Sequence, residues 1–424
     1  MISKELWGKI IKDYLESYIE VIEREKKYEI PKVQRALVIT GPRRAGKTFF
    51  MFQMIDNLLK NLEKERTIYV NFEDFRLTNV KLNDLENFLD TFYSIVPENV
   101  QRTCYFFFDE IQNLEGWEKF VRFLLDKNQK VIISGSSSKL LSREIATELR
   151  GRSIQLKVYP FSFKEILKAR GISLKEFYST SEEAKIKKLV GEYLIWGGYP
   201  ETVINPSLRK NLLKEILELT VFKDIVERWR VMNIKVLKLL LLMLAKSTHL
   251  TISKAYKNLK GLGIEVGKTT VANYLEYLED SLVFYSLKPL VKSYKKQELL
   301  GFKPYLVDNG LLTILGIEDR SRLLENLVFV ELLKKDSDLF YYTTGKKEVD
   351  FVVKKEDQTE RLIQVTYELD EENYDREIRN LVEVSRDLDS NNLLVVTWDQ
   401  EDLVEIDNRK IKIIPLWKWL LQSC

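Results

Sequence analysis

Gly41-Pro-Arg-Arg-Ala-Gly-Lys-Thr48 follows the apolar run Ala36-Leu-Val-Ile-Thr40 and precedes a stretch that reads as helix over about 48–62. A glycine-rich turn between a buried strand and a helix lets backbone N–H groups converge on an anion. The pattern is that of a P-loop. Gly41, Pro42, Arg43, Arg44, Ala45 and Gly46 wrap the phosphates, Lys47 reaches the β and γ oxygens, and the Thr48 hydroxyl ligates magnesium. ATP with Mg2+ is the expected cofactor, and the chain must supply an α/β core that can hold such a loop.

A second run, Phe106-Phe-Phe-Asp-Glu110, is an apolar strand ending in two acids. Asp109 is placed to hold magnesium through water and Glu110 to orient the attacking water. In Val131-Ile-Ile-Ser-Gly-Ser-Ser-Ser138 a third strand ends in small polar residues. Ser136 is the candidate for the γ-phosphate, with Ser134 as the other choice. Arg150 or Arg152 can supply charge to a transition state, in the same subunit or in a neighbour.

Strands at 36–40, 67–72, 104–108, 131–134 and 153–158 alternate with helices and lack polar alternation, which indicates a parallel sheet covered on both faces. The first 30 residues read as helix. After Pro160 the pattern is helical over 163–232 and again over 234–282, ending in the strand-like 283–287. Strands return at 340–342, 349–353, 362–366 and 393–397.

At 424 residues the chain exceeds what one core serves. With 67 basic and 64 acidic residues, the net charge of +3 makes no whole-chain case for nucleic acid or membrane binding. Two cysteines, Cys104 and Cys424, form no disulfide framework, so a cytoplasmic location is expected. The N-terminus lacks the apolar core of a signal peptide. The most apolar stretch, 236–245, is broken by Lys238 and too short for a bilayer. A single histidine, His249, and no cysteine pair at ligand spacing argue against zinc.

The layout resembles an AAA+ ATPase core. Gly41-Pro-Arg-Arg-Ala-Gly-Lys-Thr48, Phe108-Asp-Glu-Ile-Gln112, Ser134-Gly-Ser-Ser-Ser-Lys-Leu-Leu-Ser142 and Tyr159-Pro-Phe-Ser-Phe163 together resemble an archaeal and bacterial group of AAA+ ATPases. That resemblance implies a P-loop core over 1–160, a helical lid over 161–232, a winged helix over 233–303 and a catalytically inactive restriction-endonuclease-like domain over 304–424. Trp196-Gly-Gly-Tyr-Pro200 resembles the Gly-x-Pro element of STAND-type switch ATPases, which makes Pro200 a candidate nucleotide contact. On the bare residues the same segment is a turn.

Residues 253–287 read as helix, turn, helix and short hairpin. Lys288, Lys292, Lys295, Lys296 and Lys303 follow as a wing able to contact DNA phosphates, while Glu276, Glu279 and Asp280 on the second helix oppose that role. In the last domain Asp350 on one strand, Gln364 and Thr366 on the next, and Glu325 on a helix resemble a nuclease layout that has lost a charge and its lysine. The expected function is an ATP-hydrolysing switch that couples nucleotide state to a DNA or protein partner, with homo-oligomers as a further option. The alternative is a nucleic-acid-processing ATPase of transposition, helicase-loader or nuclease type.

Overall fold

Ala36–Thr40 (β1) buries five residues in succession, which a strand does only with a neighbour on each edge and helices on each face. In the computed structural model β1 lies between β4 (Lys130–Ser134) and β5 (Ser153–Lys157), parallel to both. β3 (Tyr105–Asp109) and β2 (Thr67–Asn71) complete a parallel sheet of order β2-β3-β4-β1-β5. The structure describes residues 2–135, 148–291, 293–335, 338–344, 347–356 and 358–422. The chain divides into two compact units, Met1–Tyr159 and Pro160–Cys424.

In the first unit, helices α1 (Lys4–Glu16), α2 (Lys47–Leu59), α3 (Asp84–Ile95) and α4 (Trp117–Asp126) pack on the sheet. Its core is aromatic. Phe88 on α3 meets Phe106 and Phe108 on β3 and Phe120 on α4 with ring centroids 6.4, 6.2 and 6.4 Å apart. Trp7 on α1 meets Phe88 at 5.0 Å with the rings tilted by 58° and donates its indole N–H to the Asp84 carbonyl at 3.1 Å.

The helix expected over the first 30 residues stops at Glu16. Ser17 turns extended (φ −72°, ψ 146°), and its hydroxyl donates to the Tyr14 carbonyl at 2.8 Å. The apolar periodicity fades after Ile19, and residues 17–35 run as an extended strap without helix or strand. Side chains of the strap, Arg24 above all, bind elsewhere in the unit, as described below.

The second unit begins with helices Phe163–Ala169 and Thr180–Trp196. Each opens with a capping box, Ser162 with Glu165 and Ser179 with Glu182. Pro200–Ile204 and Arg209–Leu219 follow. The latter runs through a π-helical stretch, Thr220–Val226. Helices Ile234–Lys246, Ile252–Gly261 and Lys268–Asp280 come next, then β6 (Phe284–Leu287). β6 pairs antiparallel with β7 (Lys303–Leu306), and Leu250 bridges Phe302. The expected short hairpin is interrupted, because helix Tyr294–Leu300 lies between its strands.

A six-stranded sheet closes the chain: β8 (Asp338–Thr343), β9 (Glu348–Lys355), β10 (Gln358–Val365), β11 (Leu393–Thr397), β12 (Asp402–Ile406) and β13 (Arg409–Pro415), in the order β12-β13-β11-β10-β9-β8. β12 and β13 escaped the sequence reading. β12 alternates toward solvent at the sheet's edge, and its longest apolar run is Leu403-Val404. Helices Arg320–Leu333 and Tyr374–Asp387 pack on this sheet, and Leu416–Gln422 follows β13. Among the described residues no helix is long and apolar enough to cross a membrane.

The segments expected as lid and last domain are tied together by buried polar groups. Asp308 accepts from the backbone N–H of Gly198 at 2.7 Å and of Gly310 at 2.8 Å. Asn309 donates to the carbonyls of Leu194 and Leu323 at 2.7 and 2.8 Å. Lys334 donates to the Phe161 carbonyl at 2.9 Å and to the Tyr193 hydroxyl at 2.8 Å. Groups this buried are costly to separate from their partners, so the segments hold together as one body.

Candidate nucleotide-binding site

The loop 41–46 joins the C-terminal end of β1 to the N-terminus of α2. Gly41 lies so close to β5 that a β-carbon there would overlap the Val158 carbonyl oxygen. Arg44 and Gly46 take left-handed backbone angles, φ 63° and 92°, and so fold the loop back over the helix end. Lys47 begins α2, is 7% exposed, and donates from Nζ to the carbonyls of Gly41 and Pro42 at 3.1 and 3.2 Å. Its ammonium therefore closes the loop from within, where an incoming phosphate would take those hydrogen bonds.

Thr48 meets Asp109 across the mouth of the loop, Oγ1 donating to Oδ2 at 2.6 Å. Tyr69 on β2 donates to the same oxygen at 2.8 Å, and Ser134 at the end of β4 bonds Oδ1. One carboxylate, 1% exposed, is thus ringed by three hydroxyls. The hydroxyl of Thr48 donates its proton to Asp109 and leaves a lone pair for a cation, so Thr48 and Asp109 suit a magnesium held by one hydroxyl and through water. Burial and the Asp109 carboxylate push the Tyr69 phenol well above its usual pKa, so it is a hydrogen-bond donor at any physiological pH. Sequence reasoning missed Tyr69. Its signal is the parallel register that sets Asn71 beside Asp109 and so brings Tyr69, two residues earlier, onto the same side of β2.

Glu110 follows β3 in a left-handed conformation, φ 49°. Its N–H donates to the Ser134 hydroxyl at 3.3 Å, and its carboxylate accepts from the Gln112 amide. Ser134, the second choice of the sequence reading, thus bridges both acids. Ser136 lies outside the described residues.

Arg152 requires a correction. It immediately precedes β5, and its carbonyl accepts from Ala36 at the start of β1. The P-loop leaves the other end of β1, about 16 Å away along five residues. The guanidinium pairs with Asp126 at 2.5 Å. A role in this site within the same chain is excluded, which leaves the neighbouring-subunit alternative. Pro200 begins the helix Pro200–Ile204 in the second unit, and Gly197 before it (φ 68°) accommodates the Asp308 carboxylate, which a β-carbon there would overlap.

The lysines expected as a wing are corrected in part. Lys303 is 4% exposed and faces inward, with Nζ 2.6 Å from Glu348, 2.8 Å from Asp350 and 3.7 Å from Glu325. Burial works against this ammonium, yet its acidic neighbours hold its pKa well above the usual value. Lys288 lies over the Phe302 ring, and Lys292 falls outside the described residues; Lys295 and Lys296 are exposed. Of the opposing acids, Glu279 is spent on Ser286, accepting from its N–H at 2.9 Å and its hydroxyl at 2.5 Å. Glu348, two residues before Asp350 on β9, shares Lys303 with it. Gln364 accepts from the Asp350 N–H at 3.2 Å and donates to Glu377 at 2.5 Å, and Thr366 donates to the Glu368 carbonyl.

The parallel sheet, the loop between β1 and α2 and the acids at the end of β3 define a P-loop NTPase core of AAA type. Residues 33–167 match a family model described as an AAA domain, and residues 187–321 and 320–419 match two described as domains of unknown function. The chain is 38% identical over 440 residues to the uncharacterized protein MJ1544 of Methanocaldococcus jannaschii, covering 99% of this chain and 96% of that one. It is 32% identical over 416 residues to an uncharacterized protein of Haemophilus influenzae, with 96% and 98% covered. The chain belongs to the family of these proteins. A solved Walker-type ATPase of Pyrococcus abyssi is similar with a TM-score of 0.44 and 14% identity, over 75% of this chain and 96% of that one.

Proposed function

We propose that the protein is a magnesium-dependent ATPase that works as a molecular switch. The observation that carries this reading is the 2.6 Å hydrogen bond between Thr48 and Asp109, which joins the loop to the acid of β3 in the arrangement a nucleotide-bound magnesium needs. In this reading residues 41–48 hold the phosphates, Thr48 and Asp109 hold the metal, and Glu110 orients the attacking water. Pro200 is assigned a nucleotide contact on the resemblance alone, and Arg152 acts only from a neighbouring copy. Magnesium held by Thr48 and Asp109 would supply positive charge to the phosphates, and the Lys47 ammonium would add a second. Residues 160–424, joined by their buried polar ties, respond to nucleotide state as one body. The test is steady-state ATP hydrolysis by the full chain with magnesium and with a chelator. Turnover that needs magnesium and falls by about a hundredfold or more in Glu110→Gln supports the reading. Turnover at the parent rate in that variant removes Glu110 from the mechanism.

A second observation favours DNA as the partner. Helices Ile234–Lys246, Ile252–Gly261 and Lys268–Asp280 with β6, β7 and the Leu250 bridge have winged-helix order. Lys254, Lys257 and Lys260 recur every third residue on one exposed face, and exposed Lys268 opens the next helix. These lysines, rather than the segment 288–303, form the phosphate-facing surface of the proposal. The helix Arg320–Leu333 with β8 to β11 has the order of a restriction-endonuclease-like domain, proposed here as a binding fold without cleavage.

A further inference from the structure

The strap 17–35 makes its most buried contact through Arg24, which is 8% exposed among neighbours rich in charge. One side-chain amide holds its backbone at two points: Gln53 Oε1 accepts from the Arg24 N–H at 2.7 Å, and Gln53 Nε2 donates to the Arg24 carbonyl at 3.2 Å. Gln53 stands on α2, the helix that Lys47 and Thr48 begin. The guanidinium then spans two carbonyls, donating from Nη1 to Ala45 at 3.0 Å and from Nη2 to Tyr159 at 2.5 Å.

Ala45 and Gly46 share a planar trans peptide, in which C=O and N–H point in opposite directions. A donor that fixes the Ala45 carbonyl on the outer side of the loop therefore aims the Gly46 N–H toward its inner side. The turn is strained one residue earlier, where Arg44 holds a left-handed φ of 63° that a non-glycine residue keeps only when its surroundings fix it. We propose that Arg24 is a positioning residue for phosphate binding, holding the Ala45–Gly46 peptide from outside so that its N–H faces the β-phosphate. The inference rests on the nucleotide-site reading above. Through Tyr159 the same guanidinium ties that peptide to the last residue of the first unit, so the set of the phosphate loop and the exit of the core are fixed by one side chain.

The test uses the full chain as parent, Arg24→Ala and Arg24→Lys, titrated calorimetrically with ADP and with adenosine, and unfolded without nucleotide. ADP affinity in Arg24→Ala is expected to fall about ten- to a hundredfold while adenosine affinity stays within about twofold, because only ADP uses the peptide that Arg24 sets. Arg24→Lys, able to reach one of the two carbonyls, recovers part of the loss. Unchanged ADP affinity in both variants overturns the proposal. An equal loss for ADP and adenosine does so as well, since it marks a general loosening of the core. Should Arg24→Ala fail to fold, the lysine variant decides: intermediate ADP affinity supports the proposal and parental affinity overturns it. A parent that binds neither ADP nor ATP defeats the nucleotide-site reading itself, an outcome distinct from a parent that binds ADP as tightly as its variants.

Discussion

Lys47 and Asp109 show how single side chains near the loop are held by their neighbours. Lys47 spends its protons on two carbonyls of its own loop, and Asp109 spends its lone pairs on three hydroxyls. In the proposed site Lys47 would exchange these carbonyls for phosphate oxygens, while Asp109 would keep hydroxyl partners as it meets a hydrated cation. Lys47→Ala should therefore abolish the rise in unfolding temperature that ATP gives the parent, with affinity lower by about tenfold to a hundredfold. A folded variant showing the parent's thermal shift would remove Lys47 from the phosphate site. These residues were legible in the sequence because loop, lysine and hydroxyl sit within eight consecutive positions. Arg24 and Tyr69 were not. Arg24 contacts Ala45 across 21 residues and Tyr159 across 135, and Tyr69 meets Asp109 across 40; such contacts depend on sheet order and register, which no local pattern states.

Helices and strands repeat that lesson. Strands β1 to β4 of the first sheet were readable because burial makes each a short apolar run, whereas the edge strand β5 is half-exposed and alternates Ile154 and Leu156 with polar residues. The sheet order, the edge strand β12 and its neighbour β13 were not readable, since β12 is half-exposed and β13 carries Arg409, Lys410 and Lys412 among its apolar residues. The turn Trp196-Gly-Gly-Tyr-Pro200 was readable as a turn, but its reason lies 110 residues on, where Asp308 accepts from Gly198. Burial raises the Asp308 carboxyl to about 6 from 3.8, opposed by the N–H groups of Gly198 and Gly310 and by Lys334. The folded state thus binds the proton more tightly than the unfolded chain. The stability this group contributes is complete below about pH 4 and is lost as pH rises through about 6, by at most about 3 kcal/mol. Urea unfolding of the full chain across that window should show a steeper fall for the parent than for Asp308→Asn. Parallel curves would assign the pH dependence to other groups.

Taken as a whole, the chain joins a P-loop core to a second unit whose surface and interior charges differ in their surroundings. Outside, Lys254, Lys257 and Lys260 remain in solvent, and replacing Lys257 and Lys260 by alanine should lower the salt slope of DNA binding by about one for each lysine, uniformly across sequences. A slope unchanged in fluorescence titrations would place DNA elsewhere or nowhere. Inside, Glu325, Glu348 and Asp350 converge on Lys303, and an ammonium stands where carboxylates would otherwise gather a divalent cation. The lysine that the strand sequence lacked at Thr366 is present in space, yet it is 4% exposed and shared among three carboxylates, so it is not presented to a water or a phosphodiester. Gln364 is likewise consumed, one end on the Asp350 backbone and the other on Glu377. The full-length protein should therefore leave plasmid and linear DNA intact with magnesium or manganese, with or without ATP. Opening the ion pair in Lys303→Met should cost stability by about 3 kcal/mol or more, because it leaves buried carboxylates without their counter-charge. Cleavage by the parent that vanishes in Asp350→Ala while ATP hydrolysis persists would show that Lys303 releases the carboxylates when DNA binds, and the protein would then be a nucleic-acid-processing ATPase.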